Sequence, residues 1–445
     1  MATATQVKRY ALVGTGGRCP MFINPIVERF QEDAELVGLC DINPARLDFY
    51  QKMLKEEKSY NEVPTFEADA FDEMIRQTKP DTVIVTTVDA LHDQYIIRAM
   101  ELGCDAVTEK PMTTDDEKCR AIFDAIERTG KQVRVTFNYR WAPGPTKVYQ
   151  LLRDGVIGDI IHADMEYLLN TSHGADYFRR WHREKDKSGG LMVHKSTHHF
   201  DLVNWWLDAV PQTVFGFGRL AFYGRENAEK RGVKVDYDRY TGHDTEDDPF
   251  ALKLDDNERS RALYLDAEKH DGYVRDRNVF GDNITAEDTM SVLVKYRTGA
   301  TLNYSLNAYL PREGFHIAFN GTKGRLEYQE VHASHVIMGQ DDKELADEMK
   351  WEQQLIVHPM FGKAYKEEIP TAEGGHGGGD PLIQEQIFST NPPEEPFGRN
   401  AGHEQGAASI LIGIAANKCF ESGQPVQIDE LCPQLSKHNH LHELI

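Results

Sequence analysis

Tyr10-Ala11-Leu12-Val13-Gly14-Thr15-Gly16-Gly17-Arg18-Cys19 runs from an unbroken apolar stretch straight into a glycine-rich turn. Consecutive apolar residues predict a strand buried on both faces, as in a parallel sheet. Glycines at 14 and 16 let the chain turn tightly and let bare backbone approach a pyrophosphate, which the positive end of the following helix would attract. The pattern is GxGxx followed by Cys19, a small residue where glycine or alanine is usual. About 25 residues later Asp41 ends a second apolar run, ELVGLCD, where a carboxylate can accept hydrogen bonds from a ribose diol. These residues predict a dinucleotide site built from Gly14, Gly16, Gly17, Arg18, Cys19 and Asp41. A carboxylate at 41 would repel a 2′-phosphate, so NAD is expected ahead of NADP, with the nearby Arg46 as the one counterweight.

Outward from that turn, further apolar runs (TVIVTT, CDAVTE, QVRVT) alternate with helix-like stretches such as PARLDFYQKMLKE and DDEKCRAIFDAIERTG. This is the rhythm of βαβ units and predicts a doubly wound, parallel Rossmann domain over residues 1–137. Beyond Trp141 longer alternating runs, DIIHADMEYLL, MSVLVKYRTGATLNYSLNAY and FHIAFNGTKGRLEY, predict an open, mostly antiparallel sheet with helices on one side, an α/β domain over 138–445. A helix-like stretch from Leu191 to Leu207 sits among them. The charged stretch Tyr223 to Asp288 reads as an insertion between two strands, of the kind that forms lids or subunit contacts. Thr371 to Asn400, with GGHGGGD and NPPEEP, is expected to be loop, and a final helix from about His403 to Ser422 is expected to pack back against an earlier domain.

With 445 residues the chain exceeds one ordinary core. Its net charge of −22 disfavours a nucleic-acid partner, and no long apolar run suggests a membrane span. The six scattered cysteines form no metal-ligand spacing and fit reduced thiols, and the opening residues leave no room for a signal peptide. A cytoplasmic enzyme is the expectation.

Glu109-Lys110-Pro111 at a strand end, preceded by Thr87-Val88-Asp89-Ala90-Leu91-His92, resembles the glucose-fructose oxidoreductase and inositol dehydrogenase family (Gfo/Idh/MocA). Asn138-Tyr139-Arg140, Gly155-Val156-Ile157-Gly158, and Ser188-Gly189-Gly190 ahead of His198-His199-Phe200-Asp201 extend the resemblance over nearly the whole chain. It implies a site between the two domains and dimers or tetramers formed through the sheet face. By the same resemblance Thr87, His92, Glu109, Lys110, Asn138 and Arg140 complete the cofactor set, and Lys110 touches the reacting hydroxyl. An ammonium there would stabilise a developing alkoxide. Relatives carry Asp, three residues, then His on one helix face, which falls here on His194 and His198. His198 is the expected acid/base. His194, with Lys195 beside it, departs from the family aspartate and hints at an acidic sugar, a sulfonate or another polyol orientation.

The run His173 to His182 mixes donors and aromatic rings suited to sugars, so Tyr177, Trp181, His182, His194, Lys195 and His376 join Lys110 and His198 as substrate residues. Histidines at 194 and 198 could also ligate zinc, but the local sequence offers no carboxylate or cysteine partner, and no metal is expected. The primary expectation is hydride transfer between a sugar's secondary hydroxyl and NAD. The alternative is a redox-neutral glycoside hydrolase that oxidises C3, eliminates, adds water and reduces again, with Tyr177 or His194 essential only on that route. A nonenzymatic NAD-binding protein is the third.

Overall fold

The computed structural model describes residues 7–336, 352–372 and 374–444, leaving aside the side chain of His376. Two sheets carry it. The first has seven strands in the order Ala401–Gly402, Val133–Val135, Asp105–Thr108, Thr82–Val85, Lys8–Val13, Ala34–Asp41, Thr65–Glu67. All its pairs are parallel except the short edge strand Ala401–Gly402, which returns from far along the chain to lie against Val133–Val135. The central strand is sealed from water, with Tyr10, Ala11 and Leu12 at 0% exposure, because helices cover both faces. The strand Thr65–Glu67 was not legible in the sequence: three residues are too few to show a period.

The second sheet has nine strands, ordered Tyr365–Glu367, Glu352–Pro359, Gly324–Ala333, Glu313–Gly321, Ile160–Asn170, Thr301–Leu310, Thr289–Tyr296, Pro211–Arg219, Val426–Gln427. It is antiparallel except where Thr301–Leu310 runs parallel to Ile160–Asn170. Thr289–Tyr296 alternates buried and exposed residues, the pattern of a sheet with one solvated face, and Phe217 and Leu293 stand exposed on that face. The expected pair of sheets, one parallel and one mostly antiparallel, is therefore present. Helix His403–Ser422 packs against strand Pro211–Arg219 and against helices of both halves, tying the two sheets together.

Two sequence expectations change. The stretch 191–207 is not one helix but two, Leu191–His194 and Thr197–Leu207. The expected loop 371–400 contains a helix, Gly375–Phe388. Its glycines argue against helix locally, yet Ile387 and Phe388 are buried on Tyr10, whose hydroxyl donates to the Ile387 carbonyl at 2.7 Å, and tertiary packing outweighs propensity. Glycine is needed there because a Cβ on Gly379 would lie 2.4 Å from the Asn138 carbonyl. The insertion does lie between two strands, Pro211–Arg219 and Thr289–Tyr296, but it also reaches across to the first sheet: the Arg46 Nε donates to the Leu263 carbonyl at 3.0 Å and the Asn43 amide to the Ala267 carbonyl at 3.0 Å.

Candidate active site

The glycine-rich turn follows its strand directly. Gly14 has φ +95°, and a Cβ there would collide with the Thr86–Thr87 peptide at 2.6 Å, so only glycine lets the two strand ends approach. A Cβ on Gly16 would meet nothing within 4 Å, so this part of the backbone faces open space beside helix Pro20–Glu28, which starts just after Cys19. That cradle fits a pyrophosphate. Gly17 is met by the insertion, whose Tyr264 hydroxyl would lie 2.7 Å from a Cβ. Asp41 accepts from the backbone of Thr15 (2.5 Å) and Asn43 (2.8 Å), and Arg46 stands 3.8 Å from it while paired to Asp271 of the insertion at 2.7 Å. The residues present fit a nicotinamide dinucleotide, and two strand ends flank the turn, one closing on Asp41 and the other leading into Glu109-Lys110.

At that second end Glu109 binds the Arg18 Nε at 2.6 Å, and Arg18 in turn lies 4.0 Å from Asp380, which accepts from the Asn138 amide at 2.7 Å. The helix Gly375–Phe388 thus supplies Asp380 to this network. His376 falls on its first turn, with its side chain outside the described residues. His92 does not reach the cleft: its ring is fully buried between the carbonyls of Pro111 (2.8 Å) and Thr87 (3.2 Å), bracing the loops that carry Lys110 and Thr87. Arg140 is further removed. Its guanidinium is 0% exposed, bonded bidentately to Asp201 at 2.6 and 2.8 Å and to Gln405 at 2.6 Å, so it joins helix Thr197–Leu207 to the chain after the first sheet.

The break between the two short helices shapes the reacting centre. In a continuous helix the His194 carbonyl would accept from the His198 N–H. Here that N–H turns to Lys195 instead, and the freed His194 carbonyl accepts from the Lys110 ammonium at 3.0 Å. The His194 ring is hydrogen-bonded through Nδ1 to Asp89 Oδ2 at 2.5 Å. Around it stand His182, 4.1 Å between ring centroids, Tyr177 at 5.6 Å and Trp181 at 6.0 Å, with Trp181 stacked on His182. Burial pushes the Asp89 carboxyl well above its usual range. Burial and then the Lys110 charge push His194 well below its own. Burial also lowers Lys110 to about 8, against the pull of Asp89 and Glu109, so its ammonium is poised to give up a proton near neutrality.

His198, expected as the acid/base, is 4% exposed with its ring edge-on to Tyr139 at 4.8 Å. His199 bonds the Tyr304 hydroxyl at 2.7 Å. Lys195 is buried over the Tyr167 ring at 4.9 Å, and burial lowers it to about 8, opposed by Glu313. Glu313 holds His173 Nδ1 at 2.7 Å, and His173 Nε2 meets the Tyr177 hydroxyl at 3.1 Å, a second proton relay ending one ring away from His194. The structure therefore gathers Lys110, Tyr177, Trp181, His182 and His194. It adds Asp89 and Glu313, to which the sequence analysis assigned no role, and gives His173, the start of the sugar-suited run, a specific partner. Asp89 lies inside the quoted Thr87–His92 run, but nothing local links it to a histidine 105 residues away.

Known proteins agree with this architecture. Residues 8–137 match the model "Oxidoreductase family, NAD-binding Rossmann fold", and residues 149–428 match "Oxidoreductase family, C-terminal alpha/beta domain". YteT of Bacillus subtilis (strain 168), named as an oxidoreductase, is 36% identical over 96% of this chain and 99% of its own. Glycosyl hydrolase family 109 protein 2 of Akkermansia muciniphila is 22% identical over 95% of this chain and 82% of its own. Among solved structures, the WlbA dehydrogenase of Bordetella pertussis in complex with NADH and UDP-GlcNAcA superposes with a TM-score of 0.61 at 18% identity, covering 96% of this chain and 99% of that one. Among the described residues no helix is long and apolar enough to cross a membrane. With a dinucleotide cradle on one sheet, a lysine and histidine gathered at its edge and both family models matched, this chain belongs to the Gfo/Idh/MocA family of oxidoreductases.

Proposed function

We propose that the protein oxidises a secondary hydroxyl of a sugar or sugar derivative with NAD, in the division of labour 1–137 for the cofactor and 138–445 for the substrate. The observation that carries this reading is the Asp89–His194–Lys110 cluster at the nicotinamide end of the cradle. A bound nicotinamide supplies the hydride acceptor. The Lys110 ammonium donates a hydrogen bond to the substrate oxygen and stabilises the alkoxide as it forms. His194, held by Asp89 in one orientation, takes the hydroxyl proton. The rings of Tyr177, Trp181 and His182 present apolar faces to the sugar and keep water out. His194 replaces His198 in the acid/base role, since its ring stands in the hydrogen-bonded cluster. Asp41 supports NAD over NADP, and Arg46 beside it is already committed to Asp271. The exposed Phe217 and Leu293 on the open sheet face support association of copies through that face.

The Glu313–His173–Tyr177 relay favours a second reading, redox-neutral glycoside cleavage, because elimination across C1 and C2 needs a second proton carrier beside the first. One experiment separates them. Free sugars and aryl glycosides are incubated with the protein and NAD in heavy water, and reduced nicotinamide and deuterium at C2 are measured. Net reduced nicotinamide from a free sugar with no deuterium at C2 is expected. Aglycone release with deuterium at C2 and no net reduced cofactor would establish the second reading instead.

A further inference from the structure

Within a chain of net charge −22, one wall of this cleft reverses sign. Asp176 alone faces three arginines: Arg179 at 3.4 Å, Arg180 at 2.9 Å and Arg275 at 2.8 Å, the last supplied by the insertion. None of the three has another carboxylate within ion-pair distance among the described residues, so one anion answers three cations and two positive charges are left over. Their remaining donors are uneven. Arg179 spends its Nε on the Phe250 carbonyl, but the terminal nitrogens of Arg180 make no hydrogen bond among the described residues, and Arg275 Nη1 is shut off from solvent with no partner there. A buried guanidinium nitrogen left without an acceptor is costly, and such surplus persists where a ligand completes it.

The surplus lies next to the reacting centre. The Arg180 guanidinium sits 5.4 Å from the Tyr177 ring centre, and that ring is 5.6 Å from both His194 and His182. Arg275 lies 5.7 Å from the ring of Tyr264, the residue that covers Gly17 of the glycine-rich turn. The pair thus occupies the space between cofactor turn and sugar-facing rings. Burial of Asp176 works against its charge, yet Arg180, Arg275 and Arg179 together hold it ionised far below the usual carboxylate range, so the surplus is not relieved by a proton.

We infer that Arg180 and Arg275 form a carboxylate seat and that the substrate is an acidic sugar of the uronate class, its carboxylate gripped here while a ring hydroxyl meets Lys110 and His194. Planar guanidinium groups match a carboxylate's two oxygens, which suits this anion better than a point charge would. The inference rests on the sugar-oxidation reading above. Its test reads binding, not turnover, so the two can fail separately. Full-length protein saturated with NAD is titrated calorimetrically with D-glucuronate and D-galacturonate, beside D-glucose and D-galactose. Each uronate is expected to bind at least tenfold more tightly than its neutral partner, and Arg180→Gln and Arg275→Gln are each expected to cut uronate affinity at least tenfold while NAD affinity stays within twofold. Uronates that bind no better than hexoses overturn the inference. So does an Arg275→Gln protein that loses NAD affinity and keeps uronate affinity, since the anion held would then be the cofactor's pyrophosphate. Arg180→Gln leaves Arg179 and Arg275 on Asp176 and carries the test if Arg275→Gln unsettles the insertion. A uronate that binds tightly yet yields no reduced nicotinamide refutes the oxidation reading and leaves the seat standing.

Discussion

Replacing Asp89 with asparagine keeps the side chain's shape and removes its charge, which isolates what the carboxylate does for His194. The 2.5 Å bond joins groups at 5% and 12% side-chain exposure, so solvent screens it little. A hydrogen bond to a charged partner contributes about 1.5–3 kcal/mol, which at about 1.36 kcal/mol per decade corresponds to about 10- to 150-fold in kcat if the bond strengthens as His194 takes the proton. The pH profile adds a second reading. Burial lowers Lys110 to about 8, and Asp89 is the foremost group holding it up. The ammonium is the active form, so activity falls as pH rises through that value, and without the Asp89 charge the fall moves to lower pH. Steady-state oxidation of the best sugar from pH 5 to 10, with NAD affinity measured in parallel, checks both. An Asp89→Asn protein with kcat within twofold of the parent and an unmoved alkaline limb would refute this role for Asp89.

Lys110→Ala and His194→Ala are each expected to lower kcat by about 100-fold or more while NAD stays bound, and His198→Ala by less than about tenfold. The reverse order for the two histidines would return the proton to His198. Fluorescence titration is expected to show NAD bound at least about tenfold more tightly than NADP, with the preference lost in Asp41→Ala. Equal affinity in the parent protein would remove that role from Asp41. Asp201→Ala leaves the fully buried Arg140 without its bidentate partner and is expected to cost about 3–5 kcal/mol in urea unfolding, a value near zero arguing against Arg140 as a structural tie.

Much of the architecture is written in short-range pattern. Four apolar residues before Gly14 specify a strand sealed on both faces, and the glycine spacing specifies the turn, because φ, ψ and Cβ sterics act within a few residues. The same holds for the alternation of Thr289–Tyr296 and for the boundaries of helix His403–Ser422, which the sequence placed at the residues where the structure has them. Glu109-Lys110-Pro111 was legible as a strand end for the same reason. Where local signals were weak or adverse, as in the glycines of Gly375–Phe388, packing against Tyr10 overrode them.

The reacting centre depends on another range of interactions. Asp89 meets His194, Glu313 meets His173, and Arg275 crosses 99 residues to Asp176, each on an element that a different stretch of sequence builds. The helix break that frees the His194 carbonyl is a matter of a single turn, below the resolution of any periodicity. Sequence alone therefore determined the two sheets, the glycine-rich turn and the strand end at Glu109-Lys110-Pro111, all set by neighbours in the chain. Only the tertiary structure decided which histidine holds the carboxylate and where the arginines accumulate, because charges pair across space once the sheets have closed on one another.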